Sequence, residues 1–420
     1  MPHSESSGRL GALLAATPDL RRIAAVRFAG QFGDGMFQAA LSGAILFNPE
    51  RETDPFAVAA GFAVLLLPYS VLGPFAGALL DRWDRRLVLM VANVVRTLLI
   101  ATTAGLLALG VDEGPLLLLA LGVVGVGRFV MAGISAALPL VVAPKWLVTT
   151  NSVLATVASG IAGLGAAAGV AVISIVGGGD AGSAAAVLVS ASGSVLAAIL
   201  AVGFAPRVLG PAGAASRGTL GAIAAGLRTG ALAVWRAPGV TTAMIGIGAH
   251  RIVFGVNTLV MVLLLREPTG SVGGLVGFGV AIAATASGML AAAIVAPLLI
   301  PLLGRSRTVT LGIAFALVVQ VGLIATLQVQ LMLIGAFLLG LAGQTIKLTG
   351  DAAMQLDIED GHRGQVFALQ DTVFNITFVL AVVGAAALVP ADGRSLAVVV
   401  GVAGCYVAAL VAIMANSRRA

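Results

Sequence analysis

The sequence predicts an all-α membrane protein whose twelve transmembrane helices form two sets of six. Three observations predict it. The 420 residues are 59% hydrophobic and only 10% charged, with a mean hydropathy of +1.07, far from a soluble domain of this length. Runs long enough to cross a bilayer recur twelve times, since about 20 residues rising about 1.5 Å each cover about 30 Å of hydrocarbon. The basic residues between the runs crowd into alternate connections.

The runs fall at 23–47, 55–79, 87–110, 115–140, 150–176 and 183–205, then at 239–265, 274–300, 307–327, 330–353, 366–390 and 395–415. An even number puts both termini on one side. With the N-terminus inside, sixteen basic residues lie in inner segments, three in outer loops (Arg51, Arg266 and Arg394) and five within helices. That bias predicts a multi-pass protein of the plasma (inner) membrane with both termini cytoplasmic.

The longest connection sets the domain boundaries. A cytoplasmic tail (1–22) leads to the first six-helix bundle (23–205); a cytoplasmic linker (206–238) leads to the second (239–415) and a short cytoplasmic tail (416–420). The linker begins Pro/Gly/Ala-rich. It continues with Leu220, Ile223, Leu227 and Val234 near one face and Arg228 elsewhere, as expected of an amphipathic helix lying on the membrane surface. The two halves are weak repeats offset by about 220 residues, with Pro18 and Pro238 before corresponding helices and Arg305 and Arg307 echoing Arg85 and Arg86. Glycine and alanine crowd most helices, as in 158–169 and 335–343, which suits close helix packing in lipid.

Composition also excludes. The net charge of +6 comes without aromatic-basic clusters, so nucleic acid is not an expected partner. The single cysteine, Cys405, rules out an intrachain disulfide and a cysteine-based metal site. The N-terminal stretch has no uninterrupted apolar core before a cleavage site, so no removable signal peptide is expected. There is no G-x-x-x-x-G-K-S/T loop for ATP and no hydrolytic or metal constellation. No enzyme activity, catalytic residue, metal or cofactor is expected.

Five charges in six residues close the second run: Asp81, Arg82, Asp84, Arg85 and Arg86. Together with Gly77 they resemble the loop signature of the major facilitator superfamily, G-x-x-x-D-R/K-x-G-R-R/K, with Asp84 where the pattern has glycine. The segments FGDGMFQAAL, ALPLVVAPKWLVTTNSV with its late Asn151, and GHRGQVFALQDTV resemble exporters of the macrolide-efflux and enterobactin-efflux type. Arg128 with Gly133, and Gly165 with Gly169, are similar to the superfamily's fourth- and fifth-helix motifs; Ala166 replaces a proline. The resemblance implies two pseudo-symmetric six-helix bundles that rock about a midplane site. It also implies a conformational latch made by Gly77, Asp81, Arg82, Arg85 and Arg86 with Asp371 of the eleventh helix, and a central cavity lined by the first, fourth, seventh and tenth helices.

Those four helices all carry polar residues at bilayer depth, where charge is rare and faces a cavity or a partner. Arg27, Gln31, Asp34 and Gln38 share one face of the first; Arg128 is midway along the fourth. His250, Arg251 and Asn257 lie in the seventh, and Gln344, Lys347 and Asp351 share a face of the tenth. Asp34 is the first candidate for proton coupling: burial disfavours its charged form and a guanidinium favours it. Arg128 is the partner named first, with Arg27 and Arg96 as competitors; a permanent ion pair and a cation-binding carboxylate are the alternatives. His250 is a second coupling candidate. Lys347 and Asp351, four residues apart, are expected to neutralise each other.

The function expected is monomeric secondary transport: export of small amphipathic molecules driven by the proton gradient, across the lipid bilayer by alternating access. Cavity helices with few polar positions suit a bulky, partly apolar substrate. An importer or lipid flippase on the same fold, and a non-transporting membrane sensor or scaffold, are the alternatives.

Overall fold

The fold is that of a computed structural model, which describes residues 18–46, 55–64, 83–210, 220–266 and 274–419. Among them are thirteen α-helices: α1 (Pro18–Leu46), α2 (Pro55–Val64), α3 (Arg85–Ala108), α4 (Glu113–Val141), α5 (Pro144–Val176), α6 (Gly179–Val202), α7 (Leu220–Arg236), α8 (Pro238–Arg266), α9 (Gly274–Leu303), α10 (Arg305–Gly322), α11 (Val329–Asp357), α12 (Asp360–Ala386) and α13 (Leu396–Ser417).

Ten of these are long and apolar enough to cross a membrane, against the twelve expected. The difference lies in the first two runs. Helix α1 has 29 residues, but Asp19, Arg21, Arg22, Arg27 and Asp34 lower its hydropathy. Helix α2 is described only to Val64, and the rest of the expected run 55–79 lies outside the described residues. Several helices also start earlier than the apolar runs. Pro144 opens α5 at its first turn, where a missing N–H costs nothing and a fixed φ favours the helix. Pro18 likewise opens α1 five residues before the expected start at 23.

The chain forms two compact units, residues 1–51 with 71–218 and residues 52–70 with 219–420. In the first, α1 packs on α5 and α6, and α3 packs on α4 and α6. Small residues permit the closest of these crossings. A Cβ on Gly35 would run into the Ala162 carbonyl, and one on Gly165 into the Phe32 carbonyl. Leu20, Ile23, Ile134, Leu138, Leu154 and Phe204 build the buried core of this unit.

In the second unit α8 is central, packed by α11, α12 and α13, with α9 and α10 against α11. Helix α2 clusters here although it precedes the first unit's larger part in sequence. Phe62 of α2 explains this, meeting Phe278 and Phe378 edge-to-face with centroids 6.5 and 5.8 Å away. The linker holds the helix α7, packed on α12. Val234 is buried and Arg228, Trp235 and Arg236 are exposed, while the side chains of Leu220, Ile223 and Leu227 lie outside the described residues.

The outward faces are apolar. Leu98, Leu118, Leu164, Ile175 and Ile199 in the first unit, and Leu290, Ile294, Val318 and Leu380 in the second, are each more than half exposed. Such a surface is stable in hydrocarbon and a liability in water.

Candidate functional site

Among the described residues each unit brings charged side chains together within its helices. In the first, Asp34 lies 16 residues into α1, about 24 Å along a helix of about 43 Å. Its carboxylate forms an ion pair with Arg96 of α3, and Gln31 Nε2 donates to its other oxygen at 2.9 Å. Arg96, ranked behind Arg128 by sequence, is thus the guanidinium in the ion pair. Gly127 of α4 packs beside it, where a Cβ would make ordinary van der Waals contact with the Arg96 guanidinium. Arg96 is 2% exposed and Asp34 19%. Arg27, one turn before Gln31, is buried and donates to Asn151 of α5 over a long 3.5 Å, Arg128 is half-buried on α4, and Gln38 is exposed.

The charged cluster at the start of α3 is only partly described: Gly77, Asp81 and Arg82 lie outside the described residues. Arg85 and Arg86 make hydrogen bonds within the first unit. Arg85 donates to the carbonyls of Ala136 (2.9 Å) and Leu209 (3.2 Å), and Arg86 to that of Val202 (3.0 Å). Val202 is the last residue of α6, where carbonyls lack helical partners and the helix dipole favours cations. Asp84, the departure from the loop pattern, caps α3 by accepting from the N–H of Arg86 (3.0 Å) and joins it to the segment after α6 by accepting from the N–H of Arg207 (3.1 Å).

The second unit's centre is a cavity of about 240 Å³ between α8, α9, α11 and α12. His250, Arg251, Gln344 and Lys347 bring polar atoms to it; Phe254, Met289 and Phe374 supply apolar wall. His250 is buried, sharing a 2.9 Å hydrogen bond through Nδ1 with the Tyr406 hydroxyl of α13. Gly343 of α11 makes room for the other edge of the ring: a Cβ there would overlap His250 Nε2. Arg251 Nε donates to the Phe374 carbonyl at 3.1 Å, and its guanidinium lies 3.8 Å from the Phe374 ring centre and 4.6 Å from that of Phe378. Lys347 pairs with Asp351 at 2.8 Å, and Gln370 of α12 donates to the other Asp351 oxygen at 2.7 Å. Asp371, expected in the latch, is exposed on α12 and within electrostatic reach of Lys347 and Asp351.

Asn257 does not belong to this cavity. It is buried against Gln320 of α10, donating at 2.7 Å and accepting at 3.1 Å, while Gln320 also donates to the Val399 carbonyl. Two primary amides that satisfy each other make a structural bridge among α8, α10 and α13. Sequence reasoning missed Tyr406, Phe374, Phe378 and Gln370. A signal existed for Tyr406, one of two tyrosines in the chain and set in an apolar run; the phenylalanines look like ordinary core.

No family model matches the sequence. Two uncharacterized MFS-type transporters, one of Mycobacterium bovis and one of Mycobacterium tuberculosis, are each 44% identical over 406 residues, covering 96% of this chain and 92% of theirs. The fold is also similar to solved transporters. A nucleoside transporter, NupG, superposes with a TM-score of 0.69 at 13% identity, covering 94% of this chain and 98% of that one. A bacterial homologue of the human lysosomal transporter Spinster, in an inward-facing and unoccupied conformation, gives 0.64 at 10% identity (96% and 99% covered). An auto-inhibited POT family peptide transporter gives 0.65 at 13% (96% and 97%). With relatives this close along almost its whole length, the chain belongs to the MFS-type transporters.

Proposed function

We propose that this transporter is a proton-coupled exporter of small amphipathic molecules, of the macrolide-efflux and enterobactin-efflux type, working by alternating access in the inner membrane. In this reading α1 and the whole run 55–79 complete twelve spans, and both termini are cytoplasmic, a placement supported by the asymmetry of the basic residues. The observation that carries the coupling is Asp34. It is a carboxylate more than halfway along a helix of membrane-spanning length, partly accessible and bonded to one guanidinium and one amide, and a neighbouring opposite charge favours the ionised form of a carboxylate in general. If alternating access separates Asp34 from Arg96, the carboxylate takes up a proton, and re-forming the ion pair expels it. The chemistry needs no covalent step and no cofactor beyond the proton gradient. Arg85 and Arg86, by holding helix ends together, keep the first bundle rigid as it moves.

The test is transport in proteoliposomes under an imposed pH gradient, using a panel of fluorescent amphiphiles that are cationic, neutral and anionic. Gradient-dependent movement above that of protein-free vesicles, abolished by Asp34→Asn, is expected for at least one of them. Movement that ignores the gradient would replace this reading with a flippase or facilitated importer. Gradient-dependent movement that survives Asp34→Asn would remove Asp34 from the coupling.

A further inference from the structure

We infer that the cavity of the second unit is an anion site, and that the transported amphiphile carries a carboxylate or a phosphate-like group recognised by Arg251. The inference rests on the transport reading for its physiological meaning, but its test is binding alone.

Arg251 is 13 residues into the 29-residue helix α8, near the middle of the span. A guanidinium stays charged at any physiological pH, so at that depth it requires compensation. Every other charge at the cavity has an internal partner: Lys347 has Asp351, and Asp351 also has Gln370. Asp371 lies in the field of that same pair. For Arg251 the compensation is incomplete. Among the described residues no carboxylate pairs with it, its one hydrogen bond is from Nε, and its terminal nitrogens are neither bonded nor sealed from the cavity.

What surrounds it instead is aromatic. Phe374 and Phe378 lie against the guanidinium, and Phe254 is 5.6 Å from it. Ring faces hold a cation without neutralising it and leave the edge of the fork free. Two parallel N–H groups on a planar fork match the two oxygens of a carboxylate or phosphate. The wall beside it, formed by Ile247, Phe254, Met289 and Phe374, accepts an apolar body. A cationic amphiphile would meet an uncompensated like charge here, so the geometry selects against it.

The experiment is isothermal titration calorimetry of the full chain in phosphatidylcholine nanodiscs, with 2-naphthylacetate, its neutral amide and 2-naphthylethylamine as probes. The acid is expected to bind at least tenfold tighter than the amide, and the amine more weakly than both. Arg251→Gln should bring the acid down to the amide's affinity while leaving the amide unchanged, which also reports that the cavity is intact. Arg251→Lys, which keeps the charge but not the fork, should retain part of the preference. Nanodiscs containing phosphatidylglycerol separate the sources of anion: weaker binding of the acid assigns the site to a lipid headgroup, and unchanged affinity assigns it to a soluble amphiphile. Equal affinity of acid and amide in the unmodified protein, no binding by the acid, or a preference that survives Arg251→Gln overturns the inference. A protein that keeps the preference but transports nothing fails the transport reading only.

Discussion

Asp34→Asn should destabilise the protein, and a second substitution at Arg96 should restore it. Asparagine preserves the shape of Asp34 and its contact with Gln31 but removes the negative charge. Arg96 then remains as a cation with 2% of its side chain exposed, its Nε already without a hydrogen-bond partner. Breaking a buried pair from one side costs about 3–5 kcal/mol, because the remaining charge is left in a poor solvent. Asp34 is 19% exposed, so water softens the loss and the lower end applies. About 3 kcal/mol is roughly a hundredfold in the folding equilibrium. Replacing both partners, Asp34→Asn with Arg96→Met, removes the stranded charge and should recover the stability to within about 1 kcal/mol of the unmodified protein. Reversible unfolding of the four proteins in one detergent, followed by circular dichroism, gives the double-mutant cycle. A double variant no more stable than Asp34→Asn would refute the reasoning, as would Asp34→Asn at full stability.

Two further substitutions probe the packing around the second centre. Gly343→Ala forces the added methyl against the His250 ring and off its bond to Tyr406. It should cost about 1–3 kcal/mol as overpacking, read as a lowered midpoint of thermal unfolding, and His250→Ala in the same chain should cancel most of that cost. Asn257→Leu strands the Gln320 side-chain carbonyl, whose only donor among the described residues is Asn257, and should destabilise by about 1–3 kcal/mol. The paired variant with Gln320→Leu, measured in the same melt, should be closer to the unmodified protein than Asn257→Leu alone.

The helices were legible because hydropathy over a span is a sum that local errors hardly change, and the helix in the linker because its charges and apolar residues alternate at helical spacing. What sequence could not supply is lateral. The spacing of Gln31 and Asp34 puts them on one face of α1, but nothing in it chooses among Arg27, Arg96 and Arg128 as the partner. That choice is made only in the folded bundle, where the long Arg96 side chain reaches Asp34 from α3. Asn257 failed for a related reason. A polar residue at depth looks the same whether it faces a cavity or another amide, and Gln320, 63 residues away, decides it. The phenylalanines around Arg251 were invisible because an aromatic residue in a transmembrane run is unremarkable until a cation lies on its face.

The two centres differ in a way that bears on mechanism. In the first unit the described ion pair joins two helices, α1 and α3, so its strength depends on the distance between them. In the second, the ion pair of Lys347 and Asp351 lies along one helix and is insensitive to helix movement, while Arg251 is fixed to Phe374 across α8 and α12 without a counter-charge among the described residues. A pair between helices can be broken by a rearrangement of the bundle and is suited to a group that must change its proton affinity during a cycle. A cation held by neutral partners keeps its charge in every arrangement and is suited to a ligand that must be recognised in all of them. On the functional reading proposed here, coupling therefore belongs to Asp34 and recognition to Arg251. Substitution at Asp34 should change how transport depends on the pH gradient before it changes which molecules bind, and substitution at Arg251 should do the reverse.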